Sequence, residues 1–271
     1  MTSETTQPSA APAEGQPSRW AIRVVVLYPD VMNVYADRGN LIALRARCQQ
    51  RGIGCEVTAV GLGDELPREA DLVLIGGGQD REQRRIAEDL ASRGVALRGW
   101  VEQDTAVLAV CGGFQLFGRL YRTGEGDELP GVGVFDATTV APGPGWPRCI
   151  GDVLAVTQLP GVGEVVGFEN HGGRTYLGPA ARPFARVLQG YGNNGDDQGE
   201  GAVYRQAIGT YLHGSLLPKN PALTDHLILA ALRHRYGPGV PALDAVEAPY
   251  AERAHAVAAA VARRRGRPNE R

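Results

Sequence analysis

A cysteine stands where an apolar run stops and a helical pattern begins. Residues 106–110 (AVLAV) predict a buried strand, Cys111 follows them, and Gly112 and Gly113 lead into the helical pattern FQLF. Such a strand–turn–helix junction presents a nucleophile on a sharp turn. It also places the thiol at a helix N-terminus, where backbone N–H groups and the helix dipole favour the thiolate. The sequence therefore predicts that Cys111 is a catalytic nucleophile rather than a structural cysteine.

Two histidines at the ends of predicted strands could act as the acid and base for this cysteine. His213 ends the run AIGTYLH, and His171 lies in the glycine-rich segment GFENHGGR, whereas the other three histidines lie in helical patterns. An imidazole beside a thiol can take its proton and later give it to a leaving group. The polar groups and glycines around His171 weaken a strand and favour a binding loop. The spacing alone leaves both histidines as candidates.

A triple glycine follows another predicted strand. The short apolar run 71–75 leads directly into Gly76, Gly77 and Gly78. Parallel α/β sheets bind ligands at the carboxyl ends of their strands, and a flexible glycine backbone there can donate an N–H to a developing oxyanion. We therefore predict an oxyanion hole formed by the N–H of Gly112 together with that of Gly77 or Gly78.

Arg148, in the segment WPRCIGD, could bind a substrate carboxylate through two parallel hydrogen bonds. The alternative for an isolated arginine is a surface ion pair. The sequence alone leaves both interpretations open.

The arrangement of predicted elements indicates an α/β fold. Apolar runs alternate with helical patterns, and each run is apolar on both faces, which is typical of a parallel sheet covered by helices on both sides. A last core helix is predicted to begin at Asn220 and Pro221. Past residue 130, short strands separated by Gly and Pro predict a β-rich C-terminal elaboration. The predicted strands are 22–27, 55–60, 71–75, 106–110, 133–140, 151–157, 165–169, 185–189 and 201–212, and the predicted helices end near Arg51 and span 81–103 with a break near Gly94.

Composition excludes several classes of protein. The chain has 271 residues, a net charge of −2 and 43% hydrophobic residues, which gives no basis for nucleic-acid binding. No apolar run reaches the 18 or more residues of a membrane span. The four cysteines show no CxxC pair and no ligand-like spacing, so we expect neither a metal site nor disulfides. This cysteine usage favours a cytoplasmic location. We predict a disordered lead-in at 1–19, one domain at 20–237 and an Ala/Arg-rich extension at 238–271.

Three motifs resemble those of a known family. CGGFQ at 111–115 resembles the C-x-G-x-Q nucleophile motif of class I, triad-type glutamine amidotransferases, and GFENHGG and GTYLHG resemble motifs of its cobyric acid synthase-like branch. YPDVMNVYADRGNLIALRARCQQRG is similar to the opening of the stand-alone glutaminase subunits of lipid II isoglutaminyl synthases. The resemblance covers about residues 22–236. It implies a flavodoxin-like fold, Cys111 as nucleophile, His213 as its partner, and a substrate-binding set of Arg148, Gln115, Asn170 and His171.

The same resemblance implies a division of labour between two chains. Glutamine hydrolysis here would supply ammonia to a Mur-ligase-like partner, MurT, which uses ATP and Mg²⁺ to amidate the D-glutamate of the lipid II stem peptide. No cofactor is expected in this chain, because a P-loop needs a lysine in G-x-x-x-x-G-K-[ST] and the only lysine, Lys219, lies in LPKN. The alternatives are an amidotransferase subunit for another acceptor such as a corrinoid, a stand-alone cysteine hydrolase of γ-glutamyl bonds, and a catalytically silent scaffold.

One position departs from the family pattern. Many class I amidotransferases carry H-x-E, in which the glutamate orients the histidine, but here His213 is followed by Gly214 and Ser215. Asp37, in YADRGN, is a candidate for the third catalytic member, with a helix cap or a surface acid as the alternative roles.

Overall fold

The structure, a computed structural model, describes residues 19–33, 37–143 and 145–265. The predicted lead-in 1–19 lies outside the described residues except for Arg19, and so do the last six residues of the C-terminal extension. The elements, in chain order, are β1 (Ala21–Leu27), α1 (Arg38–Gln50), β2 (Gly54–Val60), β3 (Leu72–Ile75), α2 (Asp80–Ser92), α3 (Gly94–Glu102), β4 (Ala106–Val110), α4 (Gly112–Phe117), β5 (Leu120–Arg122), β6 (Glu128–Pro130), β7 (Ala137–Val140), β8 (Cys149–Thr157), β9 (Glu164–His171), β10 (Arg174–Leu177), β11 (Ala185–Gln189), β12 (Gly199–Glu200), β13 (Ala202–Tyr204), β14 (Ala207–Thr210), α5 (Leu216–Lys219), α6 (Pro221–Tyr236) and α7 (Pro249–Arg265).

A six-stranded sheet forms the centre of the fold. Five strands are parallel in the order β2-β1-β3-β4-β14, and β13 pairs antiparallel with β14 at one edge. Every residue of β3 and β4 is apolar and buried. The connection from β1 through α1 leads to β2 at one edge of the sheet, whereas the connection from β3 through α2 and α3 leads to β4 in the opposite direction. Because such connections are right-handed, α1 covers one face of the sheet and α2 and α3 cover the other. The predicted α/β fold with a mostly parallel, helix-covered sheet is confirmed.

The β-rich part of the chain forms two further four-stranded sheets. One has the order β10-β7-β5-β6, and the other is β12-β11-β8-β9. The second sheet reaches the central one through an isolated antiparallel bridge between Phe168 of β9 and His213, just beyond β14. This bridge places the glycine-rich loop after β9 beside the carboxyl edge of the central sheet.

Some predicted strands have different bounds, for reasons visible in the backbone. The predicted strand 201–212 is a hairpin of β13 and β14, because Arg205 adopts a left-handed φ of 52° between them. The predicted strand 133–140 is confined to β7, and Gly133 has a φ of 76°. The helical region 81–103 divides near Gly94 as predicted. The short strands β5, β6, β10 and β12 were not predicted.

The C-terminal extension ends in a helix that packs on the second antiparallel sheet. Ala259 and Ala262 of α7 are buried against Leu154 of β8 and Val166 of β9. This helix therefore supports the back of the sheet whose last strand, β9, carries Asn170 and His171. Among the described residues, no helix is long and apolar enough to cross a membrane.

Candidate active site

Cys111 lies on a strained turn between β4 and α4. Its φ of 52° and ψ of −109° are a backbone conformation that costs free energy in a non-glycine residue. Its N–H donates to the carbonyl of Thr210 at 2.8 Å, which fixes the turn to the end of β14. The side chain is 8% exposed and lines a cavity of about 630 Å³. The predicted strand–cysteine–helix junction is present.

The thiol of Cys111 is held in its protonated form. Burial raises its pKa to about 12, and the Asp37 carboxylate raises it further, whereas the N–H of Gly112 and the charge of Arg148 lower it. The N–H of Gly112 at the helix N-terminus does favour the thiolate, as predicted, but it does not outweigh burial. The helix α4 has only six residues, and desolvation of the sulfur outweighs its dipole.

His213 lies at the same edge of the sheet as Cys111. Strand β14 is parallel to β4, with Thr210 paired to Val110. Cys111 directly follows β4, and His213 lies three residues beyond the end of β14. The backbone of His213 exchanges two hydrogen bonds with Phe168, at 2.9 and 3.1 Å. Burial, followed by the neighbouring His171 and Arg148, lowers the pKa of His213 to about 4. The imidazole is therefore neutral near pH 7 and able to accept a proton.

His171 is held rigidly beside the cavity. Its Nδ1 donates to the carbonyl of Gly173 at 2.8 Å, and its ring stacks on Tyr211 with 3.6 Å between centroids. Its Nε2 lies 3.6 Å from a carboxylate oxygen of Glu169. Burial lowers the pKa of His171 to about 3. These contacts fix a neutral ring in the wall of the cavity, and its role in substrate binding remains a prediction.

Arg148 and Asn170, both predicted to bind substrate, form one unit. Arg148 donates from Nε to the side-chain oxygen of Asn170 at 2.9 Å and from Nη2 to its backbone carbonyl at 3.0 Å. Both residues line the cavity that holds Cys111. Asn170 therefore orients the guanidinium, which is the property that bidentate recognition of a carboxylate requires.

Gln115 also lines the cavity, but its amide is engaged within the protein. Its Oε1 accepts a hydrogen bond from Gln83 at 2.9 Å, and its Nε2 donates to the hydroxyl of Tyr211 at 3.2 Å. The Tyr211 hydroxyl is in turn 2.6 Å from the hydroxyl of Thr175. Gln115 thus links α2, α4 and the segment before His213, and the contact with substrate predicted for it remains a prediction.

The predicted oxyanion loop contacts the cysteine turn closely. A Cβ on Gly112 would lie 2.8 Å from the carbonyl oxygen and 2.9 Å from the nitrogen of Gly78. Only glycine fits at this contact. The N–H of Gly77, predicted with that of Gly78 as one of two alternative oxyanion donors, donates instead to the Asp37 carboxylate at 2.6 Å. Asp37 therefore lies beside Cys111, and its Oδ2 accepts a hydrogen bond from the glycine loop.

Two buried glutamates that sequence reasoning left without a role support the site from behind. Glu169 accepts the N–H groups of Tyr191 and Gly192 at 2.6 and 2.9 Å, and burial raises its pKa to about 8. Glu200 accepts the hydroxyl of Thr210 at 2.5 Å and the N–H of Tyr211 at 2.9 Å, and burial raises its pKa to about 7. Glu169 lies inside the GFENHGG motif, a signal that could have identified it, whereas the sequence around Glu200, in the short strand β12, offers none.

Comparisons with known proteins agree with this site. Residues 23–221 match the CobB/CobQ-like glutamine amidotransferase domain family. The chain is 39% identical to the GatD subunit of lipid II isoglutaminyl synthase from Staphylococcus aureus, covering 78% of this chain and 84% of that protein. It is 36% identical to the GatD subunit from Streptococcus pneumoniae, with coverages of 80% and 83%.

More distant matches agree on the fold. A cobyric acid synthase from Pelotomaculum thermopropionicum is 35% identical over 62% of this chain, but the match spans only 33% of that protein. A solved structure described as a glutamine amidotransferase superposes with a TM-score of 0.55 at 18% identity, covering 77% of this chain and 98% of that one. The chain therefore belongs to the CobB/CobQ-like glutamine amidotransferase domain family, within its GatD group.

Proposed function

We propose that this chain is the glutaminase subunit of a lipid II isoglutaminyl synthase. The observation that carries the proposal is a buried cysteine on a strained elbow, Cys111, facing the same cavity as the oriented guanidinium of Arg148. Identities of 39% and 36% to two GatD subunits support glutamine as the substrate and lipid II as the molecule that receives the ammonia.

The chemistry follows from two neutral groups. His213 takes the proton of the Cys111 thiol as the sulfur attacks the side-chain amide carbon of glutamine. A C–S bond forms, and the carbonyl oxygen becomes an oxyanion that the N–H of Gly112 and a donor of the Gly76–Gly78 loop stabilise. His213 returns the proton to the amide nitrogen, the C–N bond breaks and ammonia leaves. Water, deprotonated by His213, then cleaves the thioester, which releases glutamate and restores the thiol.

Arg148 accounts for recognition of the amino-acid end of glutamine. Its guanidinium is oriented by Asn170 and lines the Cys111 cavity. In the proposed complex it binds the α-carboxylate of glutamine, a contact made equally in the ground and transition states.

The ammonia is used by a second chain. We infer a Mur-ligase-like partner, MurT, that binds ATP and Mg²⁺, forms a heterodimer with this chain in the cytoplasm and amidates the D-glutamate of the stem peptide. The sequence supports this separation, because its only lysine, Lys219, lies in a segment that cannot form a P-loop.

Transfer of a labelled nitrogen tests the proposal. The purified chain, the Mur-ligase-like partner, ATP, Mg²⁺ and lipid II are incubated with glutamine carrying ¹⁵N in its side-chain amide. Mass spectrometry is expected to find ¹⁵N in the stem-peptide amide, and Cys111→Ala is expected to prevent this transfer while free ¹⁵N-ammonium still supports it. Parallel incubations contain a corrinoid acceptor or γ-glutamyl dipeptides. Labelling of the corrinoid but not of lipid II, or hydrolysis of the dipeptides without glutamine turnover, would assign one of the alternative functions.

A further inference from the structure

The peptide unit that joins Gly76 to Gly77 is hydrogen-bonded at both of its polar ends. Its carbonyl accepts the N–H of Gly113 at 3.1 Å, and its N–H donates to Oδ2 of Asp37 at 2.6 Å. No cis peptide bond occurs in the described part of the chain. The carbonyl and N–H of a trans peptide point in opposite directions. Because the carbonyl faces Gly113, on the first turn after Cys111, the N–H faces away from that turn.

This orientation conflicts with the part that Gly77 would play in catalysis. An oxyanion-hole donor must point at the oxygen of the carbonyl that the nucleophile attacks. The Gly77 backbone is close enough, since a Cβ on it would lie 3.3 Å from Cβ of Cys111. Its N–H, however, is occupied by a carboxylate whose residue is only 7% exposed. The Gly77 N–H is therefore close to Cys111 but is bonded to Asp37, where it cannot stabilise an oxyanion.

The Asp37 carboxylate also acts on the nucleophile. A Cβ on Gly77 would lie 3.2 Å from Oδ2 of Asp37, so the carboxylate and the cysteine contact the same glycine. The negative charge of Asp37 raises the pKa of the Cys111 thiol, second only to burial. Burial raises the pKa of Asp37 itself to about 7, and in its charged form the carboxylate opposes both the thiolate and the oxyanion that forms after attack.

The surroundings of Asp37 offer an alternative position for its side chain. A second cavity of about 460 Å³ borders it, lined by Met32, Arg38 and Gly76 among others. Oδ1 of Asp37 has no hydrogen-bond partner among the described residues. Rotation of the carboxylate toward this cavity would release the Gly77 N–H.

The segment that contains Asp37 also contacts the loop after His213. The side-chain oxygen of Asn40 accepts the N–H of Leu217 at 2.9 Å, and Gly39 packs directly against the side chain of Ser215. Residues 37–40 therefore contact both the glycine loop and the chain that follows the histidine.

We propose that Asp37 is a positioning residue that holds the Gly77 N–H away from Cys111, and that this hydrogen bond must break before glutamine is attacked. The proposal rests on the proposed glutaminase function. It assigns Asp37 to control of the oxyanion hole, in place of the triad role that the sequence suggested. Glycines at both ends of the peptide allow it to turn over once the Asp37 tether is released and the 3.1 Å bond from the Gly113 N–H to the Gly76 carbonyl also breaks.

Steady-state kinetics of Asp37→Ala test this role. Removing the carboxylate frees the N–H, so kcat for glutamine is expected to rise about ten-fold, which is less than the ~10²–10³-fold contribution of one fully formed oxyanion-hole donor. KM should stay unchanged, because Arg148 is untouched. Asp64→Ala is the matched control, since Asp64 also accepts a glycine N–H, that of Gly61 at 2.8 Å, but outside the site. An unchanged or lower kcat in folded Asp37→Ala overturns the proposal.

Two alkylating reagents separate the oxyanion hole from the thiol. A chloromethyl ketone analogue of glutamine has a carbonyl that needs the hole, whereas iodoacetamide needs only the Cys111 thiolate. For each reagent, the rate of Cys111 alkylation in Asp37→Ala is divided by the rate in wild type. This ratio is expected to be at least five-fold larger for the ketone than for iodoacetamide. Equal gains would mean that Asp37 acts only through its charge, and would overturn the assignment. If Asp37→Ala does not fold, Asp37→Asn must show a smaller rise in both kcat and ketone trapping, because an amide oxygen is a weaker acceptor; no rise contradicts the proposal.

Failure of the proposed function gives a different result. If the wild-type protein turns over no glutamine but Asp37→Ala still gains more in its reaction with the ketone than in its reaction with iodoacetamide, the Asp37 assignment stays intact and the glutaminase function fails. If wild type and Asp37→Ala instead turn over glutamine at the same rate and react equally with both reagents, the glutaminase function stands and the proposed role of Asp37 is wrong.

Discussion

At the scale of single residues, the site combines two groups that burial holds in their neutral forms. The pKa of Cys111 is raised to about 12 and that of His213 is lowered to about 4. A neutral thiol and a neutral imidazole can exchange a proton only as the sulfur attacks, so little reactive thiolate exists without substrate. A cysteine in this state is expected to react slowly with oxidants and alkylating agents, which is compatible with the proposed role of a nucleophile that reacts only with bound glutamine.

Replacement of the two histidines should separate their roles. His213→Ala is expected to lower kcat about 10³-fold, because the variant has no group to take and return the proton. His171→Ala should cost less, since that ring stacks on Tyr211 and shapes the cavity wall. Glutamate release measured for both variants, with melting temperatures as the folding control, decides between them. An inactive His171→Ala beside an active His213→Ala would reverse the assignment.

Loss of Arg148 should affect binding more than chemistry. A charge-assisted contact to the α-carboxylate contributes ~1.5–3 kcal/mol, so Arg148→Ala is expected to raise KM at least ten-fold with kcat within a few-fold of wild type. Arg186→Ala, on the exposed part of β11, is the surface control and should change neither constant. A normal KM with a collapsed kcat would place Arg148 at the reacting centre instead.

At the scale of elements, two strand ends and their turns create the site. Neighbouring parallel strands β4 and β14 deliver Cys111 and His213 to one edge, and the glycine loop after β3 closes on the cysteine turn. The contact is tight because Gly112 packs against the backbone of Gly78. The positions of Cys111 and of the glycine loop therefore depend on glycines, because a side chain would not fit at these contacts.

A pair of glycine substitutions tests this packing. Gly112→Ala places a Cβ 2.8 Å from the Gly78 carbonyl oxygen, and the resulting shift of the loop is expected to lower kcat on the order of 10²-fold. Gly99→Ala, in α3 with no atom within 4 Å of the new Cβ, should instead stabilise the fold by ~1 kcal/mol and leave kcat unchanged. Equal activity of the two variants would show that the loop tolerates the shift.

Local patterns predicted the elements that carry strong periodicity. The apolar runs of β1, β3 and β4, the break near Gly94 and the junction at Cys111 are all readable, because each is decided by residues next to one another in the chain. The pairing of Arg148 with Asn170 and the burial of Glu200 depend on contacts between distant segments. The bond between Asp37 and Gly77 spans forty residues, and no spacing rule indicates it.

At the scale of the whole molecule, the edge of the sheet opposite the site contributes stability without taking part in catalysis. Asp71, fully buried, accepts hydrogen bonds from Arg23 at 2.8 Å and from His234 at 3.0 Å, linking β1 to α6. Burial alone would raise the pKa of Asp71, but the bonds from His234 and Arg23 outweigh it and lower the pKa to about 2.

Stability measured against pH tests this cluster. Asp71→Asn is expected to lower the free energy of unfolding by ~2.5 kcal/mol at pH 7, because a neutral amide replaces a carboxylate whose pKa the fold lowers to about 2. The native pKa lies below the unfolded value of ~3.9, so the ionised carboxylate stabilises the fold above that pH and its contribution disappears as pH falls toward 2. Urea unfolding of both proteins should show the difference shrinking below pH 4. A difference that stays constant down to pH 2.5 would contradict this account.

The central claim is that Cys111 turns glutamine into glutamate and ammonia, and glutamate release by matched cysteine variants tests it most directly. Wild type, Cys48→Ala, Cys55→Ala and Cys149→Ala are expected to release glutamate at comparable rates, with modest stability losses in the three variants. Cys111→Ala should fold normally and lose several orders of magnitude in rate, because no other group can form the thioester. Equal turnover by wild type and Cys111→Ala would contradict the account.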